Sequence, residues 1–316
     1  MTTTNSVSPA PSAVSENTFH PRQVLSAEQL AQFNRRSNRL GLLRLLGHLL
    51  ELGVGASLWA VGPLWLALPG LLLYGTGLAL MFCAMHEFAH RTAFANPRLN
   101  DAAAWGAGLL SLYNATFYRR YHKWHHRYTQ VAGKDPELGD PKPESLAQYL
   151  WQLTGIPWWW GKLVTHSRVA LGQLDDCYFL PEASRSEVVR STRVQLGVYG
   201  AIALLSTGLG HPAFLFTYWL LPLAVGQPVL RYILLAEHGG CTYDSNPLTN
   251  TRTTLTLWPL RFLMWNMPYH AEHHLYPSIP FHALPAAHTV LSSHFEQVVS
   301  GYGQVHRSFR ANFDQV

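Results

Sequence analysis

From Leu52 to Met85 the chain carries no charged residue. At ~1.5 Å per residue, this run is longer than one crossing of a ~30 Å hydrocarbon core requires. Gly62-Pro63 interrupts it and predicts a helical hairpin, with one span near Leu42–Val61 and a second near Leu64–Met85. A second hairpin is predicted later. Val194–Gly210 is short and free of charge, His211-Pro212 makes the turn, and Ala213–Ala236 returns with Pro222 and Pro228 as kink positions. On the first span, Arg44, His48 and Glu51 follow one another at four and then three residues. That spacing is a polar stripe turned into the bundle.

The composition agrees with a chain solvated partly by lipid. Charged residues make up 13% of it and eleven are Trp, the residue type that gathers at membrane–water boundaries. The net charge of +5 suits anionic lipid. No Lys/Arg run stands clear of the histidines, which argues against nucleic acid. Residues 91–193, between the hairpins, carry thirteen Lys/Arg, whereas the two short turns carry none. The positive-inside rule then places the long stretch and both termini in the cytoplasm, consistent with four spans. Two further apolar stretches, Ala102–Phe117 and Leu255–Tyr269, read with Trp151 and Trp158-Trp159-Trp160 as helices lying in the interface.

Residues 1–37 read as a disordered tail and lead-in, rich in Ser, Thr and Pro toward the start and lacking the pattern of a cleaved signal peptide. Residues 38–316 read as one domain. Cys83, Cys177 and Cys241 lie too far apart for a CxxC motif and are expected to be idle thiols.

Nine of the seventeen histidines form a pattern. His86 and His90 sit in H-E-F-A-H, at the end of the second span. His122, His125 and His126 form H-K-W-H-H, and His270, His273 and His274 form H-A-E-H-H. His238, in A-E-H-G-G, ends the fourth span. Imidazole is a borderline ligand that suits iron, copper, zinc and nickel. Nine imidazoles exceed one ion and suit two ions with four or five nitrogens each, the arrangement of a redox pair rather than of structural zinc. All four groups must then lie on one side of the membrane, which the four-span reading allows. The remaining eight histidines match no ligand spacing. Glu87, Glu237, Asn266 and Glu272 adjoin the boxes and are candidates for orienting the imidazoles.

The three boxes resemble those of the membrane fatty-acid desaturase superfamily, from about Gly70 to His288. The stretch from Trp265 to His282 (WNMPYHAEHHLYPSIPFH) is similar to the third-box region of sphingolipid desaturases and related bacterial enzymes. The resemblance implies an all-α integral-membrane fold: four transmembrane helices in two hairpins under a cytoplasmic helical cap. It implies two irons held by His86, His90, His122, His125, His126, His238, His270, His273 and His274. It further implies O2 as co-substrate and two electrons for each C=C bond placed in a fatty acyl chain or acyl-lipid. No H-P-G-G cytochrome motif is present, so a separate donor, ferredoxin or a cytochrome with its reductase, is expected. The setting would be the bacterial inner membrane or the endoplasmic reticulum. A hydroxylase or a ketolase acting on a lipid or carotenoid would use the same chemistry. The literal H-E-x-x-H also admits an integral-membrane zinc metalloprotease, which leaves seven of the nine histidines without a role.

Overall fold

The computed structural model describes residues 24–140 and 142–313. In chain order the helices are α1 (Ala27–Phe33), α2 (Asn38–Val61), α3 (Leu64–Ala89), α4 (Pro97–Ser111), α5 (Ala115–Tyr128), α6 (Leu146–Leu153), α7 (Ile156–Ala170), α8 (Glu182–Gly208) and α9 (Leu221–His238). Strand β1 (Thr253–Leu255), helices α10 (Trp258–Leu263), α11 (His270–Leu275) and α12 (Leu284–Leu291), strand β2 (Val298–Ser300) and helix α13 (Tyr302–Phe313) follow.

The first hairpin forms as its punctuation predicts. Ser37 caps α2, which ends at Gly62, and Pro63 starts α3. Helix α3 is the central element, packed against α2, α4 and α9, and Gly77 to Ala89 are buried without interruption. The backbones of α3 and α9 meet at Gly75 and Gly226. A Cβ on Gly226 would lie 1.8 Å from the Gly75 carbonyl oxygen, so only glycine permits this approach. The polar stripe of α2 does face inward. His48 is fully buried, with Nε2 3.0 Å from the Gly77 carbonyl, and Arg44 donates to the Phe262 carbonyl at 2.9 Å.

A π-helical turn, Phe216–Leu220, precedes α9 and merges with it. There the Leu221 amide reaches back to the Phe216 carbonyl, and Pro222 has no amide to offer. The carbonyls of Thr217 and Tyr218 are thereby freed. Trp59 Nε1 donates to the first at 3.0 Å and the Tyr74 hydroxyl to the second at 2.9 Å.

Among the described residues, three helices are long and apolar enough to cross a membrane: Asn38–Val61, Leu64–Ala89 and Phe216–His238. The expected third span is the exception. Its charge-free stretch is the C-terminal part of α8, whose first half carries Glu182, Arg185, Glu187, Arg190 and Arg193.

Other expectations are corrected. Ala102–Phe117 is not one helix. Leu112 adopts a left-handed backbone (φ 60°) that ends α4, and Asn114 caps α5 by accepting from the Phe117 amide at 2.9 Å. Leu255–Tyr269 is likewise divided into the end of β1, the short α10, and a turn with left-handed Trp265 and Asn266. The fold is mostly helical rather than all-α, since β1 and β2 pair in parallel with Thr254 opposite Val299. Residues 1–23 of the expected tail lie outside the described residues. The lead-in holds α1, closed by a Ser26–Gln29 capping box, and buried Leu25 donates to the Tyr276 hydroxyl at 3.0 Å. All three cysteines are buried free thiols.

Candidate metal centre

Four pieces of chain deliver the nine histidines to one place. His86 lies in the last turn of α3 and His90 caps it, while His238 ends the adjacent α9. Helix α5 carries its three histidines at spacings of three and one, and α11 does the same. Asp101 fastens the first two boxes together. It pairs with Arg91 at 2.8 Å and with Arg119 at 2.6 Å, and Arg119 Nε donates to the Ala89 carbonyl at the end of α3 at 3.0 Å.

The imidazoles divide into two adjacent groups. His86, His90, His122, His126 and His273 bring one nitrogen each within 4.8 Å of one another, and so do His125, His238 and His274. His270 joins the second group, its Nε2 3.2 Å from His238 Nε2 and its ring 4.4 Å from that of His274.

These contacts are not ordinary hydrogen bonds. His126 Nε2 lies 2.9 Å from His122 Nε2 and 3.1 Å from His273 Nε2, which is itself 3.2 Å from His90 Nε2. An imidazole nitrogen has either one N–H or one in-plane lone pair, so it cannot satisfy two such neighbours. A cation among them can. Two nitrogens bound at ~2.1 Å and at right angles are about 3.0 Å apart, close to the separations here. The donor set fits a pair of metal ions.

Electrostatics favour the ligand form. Burial holds His122, His126, His270, His273 and His274 well below the ordinary histidine value, and neighbouring imidazoles push the same way. These rings are therefore neutral at pH 7. His125 differs. Burial opposes its protonation, but Glu137 and Asp135 outweigh that, so its value is raised.

The sequence reading missed the groups that orient the second set of rings. Asp135 Oδ1 accepts from His125 Nδ1 at 2.9 Å, and the Asn250 carbonyl accepts from His238 Nδ1 at 3.1 Å. The Thr129 hydroxyl donates to the His125 carbonyl at 2.8 Å and therefore accepts from His274 Nδ1 at 3.1 Å. Each bond fixes the tautomer that turns Nε2 toward the centre. Glu137 is the other omission. Its carboxylate oxygens lie 3.5 Å from His125 Nε2 and 4.0 Å from His122 Nδ1.

Of the four orienting candidates read from sequence, only Glu237 reaches a box imidazole, at 3.5 Å from His270 Nε2. Glu87 instead accepts from the Thr92 hydroxyl at 2.6 Å and the Phe281 amide at 3.0 Å. Asn266 donates to the Phe281 carbonyl at 2.8 Å. Glu272 is bonded to Thr253 and to His288, a histidine outside the ligand pattern.

The centre has two different surroundings. Phe82 of α3 lies 6.4 Å from His86, and Tyr118 stacks on His122 at 4.9 Å. A cavity of about 170 Å³ reaches His126 and His274 between Arg127, Thr129 and Asn250.

A membrane-associated helical protein with a polyhistidine metal site is thereby defined. Residues 63–306 match the model of the family described as "Fatty acid desaturase", and the chain belongs to that family. It is 26% identical to the Delta(5) fatty acid desaturase fat-4 of Caenorhabditis elegans over 69% of this chain and 55% of that protein. It is also 26% identical to an sn-1 oleoyl-lipid 12-desaturase of a Picosynechococcus strain, over 52% of this chain and 49% of the other. The sphingolipid delta(4)-desaturase/C4-monooxygenase DES2 of Homo sapiens is 29% identical over 68% and 62%. The chain thus spans about half to three-fifths of the length of these relatives.

Proposed function

We propose that this protein is an integral-membrane, oxygen-dependent desaturase that introduces a C=C bond into a fatty acyl chain or acyl-lipid. The observation that carries this reading is the convergence of nine buried or half-buried imidazoles into adjacent groups of five and four. His86, His90, His122, His126 and His273 would hold one iron, and His125, His238, His270 and His274 the other. Two irons with O2 supply an oxidant able to break an unactivated C–H bond, which no side chain can do. The chain's own part is positional. Thr129, Asp135 and the Asn250 carbonyl hold three imidazoles in the metal-facing tautomer, and buried Phe82 and Tyr118 shield His86 and His122 from water.

The topology that suits this reading has four spans, α2, α3, α8 and α9, within one domain over residues 38–316. The remaining elements form a cytoplasmic cap beneath a bacterial inner membrane or an endoplasmic reticulum membrane. The thirteen Lys/Arg of residues 91–193 support that orientation. Two electrons per turnover come from a separate ferredoxin or cytochrome.

A second outcome, hydroxylation, is favoured by one observation: the DES2 relatives are named for both desaturase and C4-monooxygenase activity. The metalloprotease reading is disfavoured by Glu87, whose Oε1 accepts from Thr92 and Phe281. The test is mass spectrometry of lipids from cells expressing the protein or its His273→Ala variant, with iron measured on both purified proteins. Loss of two hydrogens from an acyl chain supports desaturation, and gain of one oxygen supports hydroxylation. One zinc with no iron overturns both.

A further inference from the structure

Beside the metal centre, between α7 and α9, a group of hydrogen-bond donors converges with no carboxylate in direct contact among the described residues. Tyr113 is at its middle. Trp158 Nε1 donates to the Tyr113 hydroxyl at 3.0 Å, and an Arg231 amino group donates to the same oxygen at 3.2 Å. The Lys162 ammonium sits 3.3 Å from the centre of the Tyr113 ring, and both cations face the Trp158 ring, at 5.6 Å and 5.5 Å. The Tyr113 oxygen thus already accepts twice, and its own proton has no acceptor among the described residues. Arg231 Nε is buried and also without an acceptor there. No carboxylate lies within ion-pair distance of Lys162 or Arg231 among the described residues. Gln227, one turn before Arg231 on α9, is fully buried with neither amide atom bonded among the described residues.

Two cations placed together in partly apolar surroundings are costly unless something negative joins them. Ring faces compensate a part of that cost. Arg231 lies seven residues before His238 on α9, about 10 Å along the helix. Aromatic rings join the two places. Tyr113 is 4.5 Å from Phe82 and 5.9 Å from Tyr118, and those rings abut His86 and His122.

We propose that Lys162, Arg231 and the Tyr113 hydroxyl form a subsite for an anionic head group, a carboxylate or a phosphate, at one end of the lipid substrate. This rests on the desaturase reading for the ligand being an acyl lipid. The surplus of cationic and hydroxyl donors rests on the structure alone.

The experiment is displacement of cis-parinaric acid, a fluorescent C18 carboxylic acid, from the purified full chain in uncharged detergent. The competitors are stearate, octadecyl phosphate, methyl stearate and octadecanol. An anionic competitor is expected to displace the probe about tenfold better than octadecanol, about 1.4 kcal/mol. Comparison of stearate with octadecyl phosphate distinguishes the two head chemistries. The preference is expected to disappear in Lys162→Gln and in Arg231→Gln, while octadecanol binding persists. Equal competition by all four compounds on the wild type overturns the proposal without recourse to a variant, as does an unchanged preference in both variants. Iron and lipid products are measured on the same preparations, so an anion preference without desaturation would retain the subsite and remove only the reading on which it rests.

Discussion

His238 and His270 are thirty-two residues apart in sequence, yet their Nε2 atoms stand 3.2 Å from each other. The contact ties the end of α9 to the third box and includes a histidine outside every box. His238 Nδ1 is held by the Asn250 carbonyl, so its Nε2 presents a lone pair. The His238→Ala variant is expected to retain close to one iron where the wild type retains two, with little turnover. Elemental analysis of both proteins, with exposed His211→Ala as the control, checks this. Two irons in His238→Ala would remove His238 from the ligand set.

Glu137 gives a second test. Its carboxylate faces His125 Nε2 and His122 Nδ1, one ring from each group. Glu137→Gln keeps the shape and removes the charge. Groups of this kind commonly change metal affinity by about 10- to 100-fold. A chelator titration followed by iron absorbance should show one of two irons leaving at a correspondingly lower chelator concentration. Superimposable titrations would mean that Glu137 is only a neighbour.

The metal-free protein should be weakened by acid. Five box histidines, His122, His126, His270, His273 and His274, have folded values depressed by burial. The unfolded chain therefore binds more protons, and the stability these groups contribute is present above about pH 6.5 and lost as pH falls below it. His125, whose value is raised, acts in the opposite sense and is outnumbered. Thermal unfolding of chelator-treated protein should show Tm falling from pH 7 to pH 5.5. A Tm that rises over that interval would contradict the sign.

Topology is tested by reporters. Fusions after Asn96 and after Lys134 should both report the cytoplasm, because α4 and α5 are separate helices with a break at Leu112. A reporter at His211 should give the opposite signal if α8 crosses. Opposite signals at Asn96 and Lys134 would place the first two boxes on different sides and sink the shared centre.

Gly226→Ala should damage the fold rather than the chemistry. The added methyl would stand 1.8 Å from the Gly75 carbonyl oxygen, forcing α3 and α9 apart at a cost of about 1–3 kcal/mol. Reduced thermal stability in detergent, with iron lost only on unfolding, is the expected result. Wild-type stability would show that the two backbones have room to separate.

Local patterns explain what was legible in the sequence. The first hairpin needs only an apolar run and Gly62-Pro63, and the box spacings of three and four need only the helical period. Asp135 and Glu137 were invisible because they lie in a loop and a short 3-10 turn beyond α5, where no period marks a side chain's direction. Pairing of Thr253–Leu255 with Val298–Ser300 joins segments separated by α10, α11 and α12, and three-residue strands carry little alternation to read. The left-handed Leu112 is a conformation that a Leu rarely adopts, so nothing in its identity announced a break. For α8, apolar length alone overlooked the charged half that belongs to the same helix.

The π-helical turn ahead of α9 does not belong to one helix. Its freed carbonyls at Thr217 and Tyr218 are taken by Trp59 of α2 and Tyr74 of α3. Substitution of Pro222 by Ala in an otherwise intact chain would offer an amide to a Tyr218 carbonyl that Tyr74 already engages. In a Tyr74→Phe background the same change would supply the missing donor. The two substitutions are therefore epistatic, and Pro222→Ala is expected to rescue part of what Tyr74→Phe loses. A chain acquiring this π-helical turn by drift would have to change three helices in a workable order, so the turn constrains which mutational paths through the bundle are open.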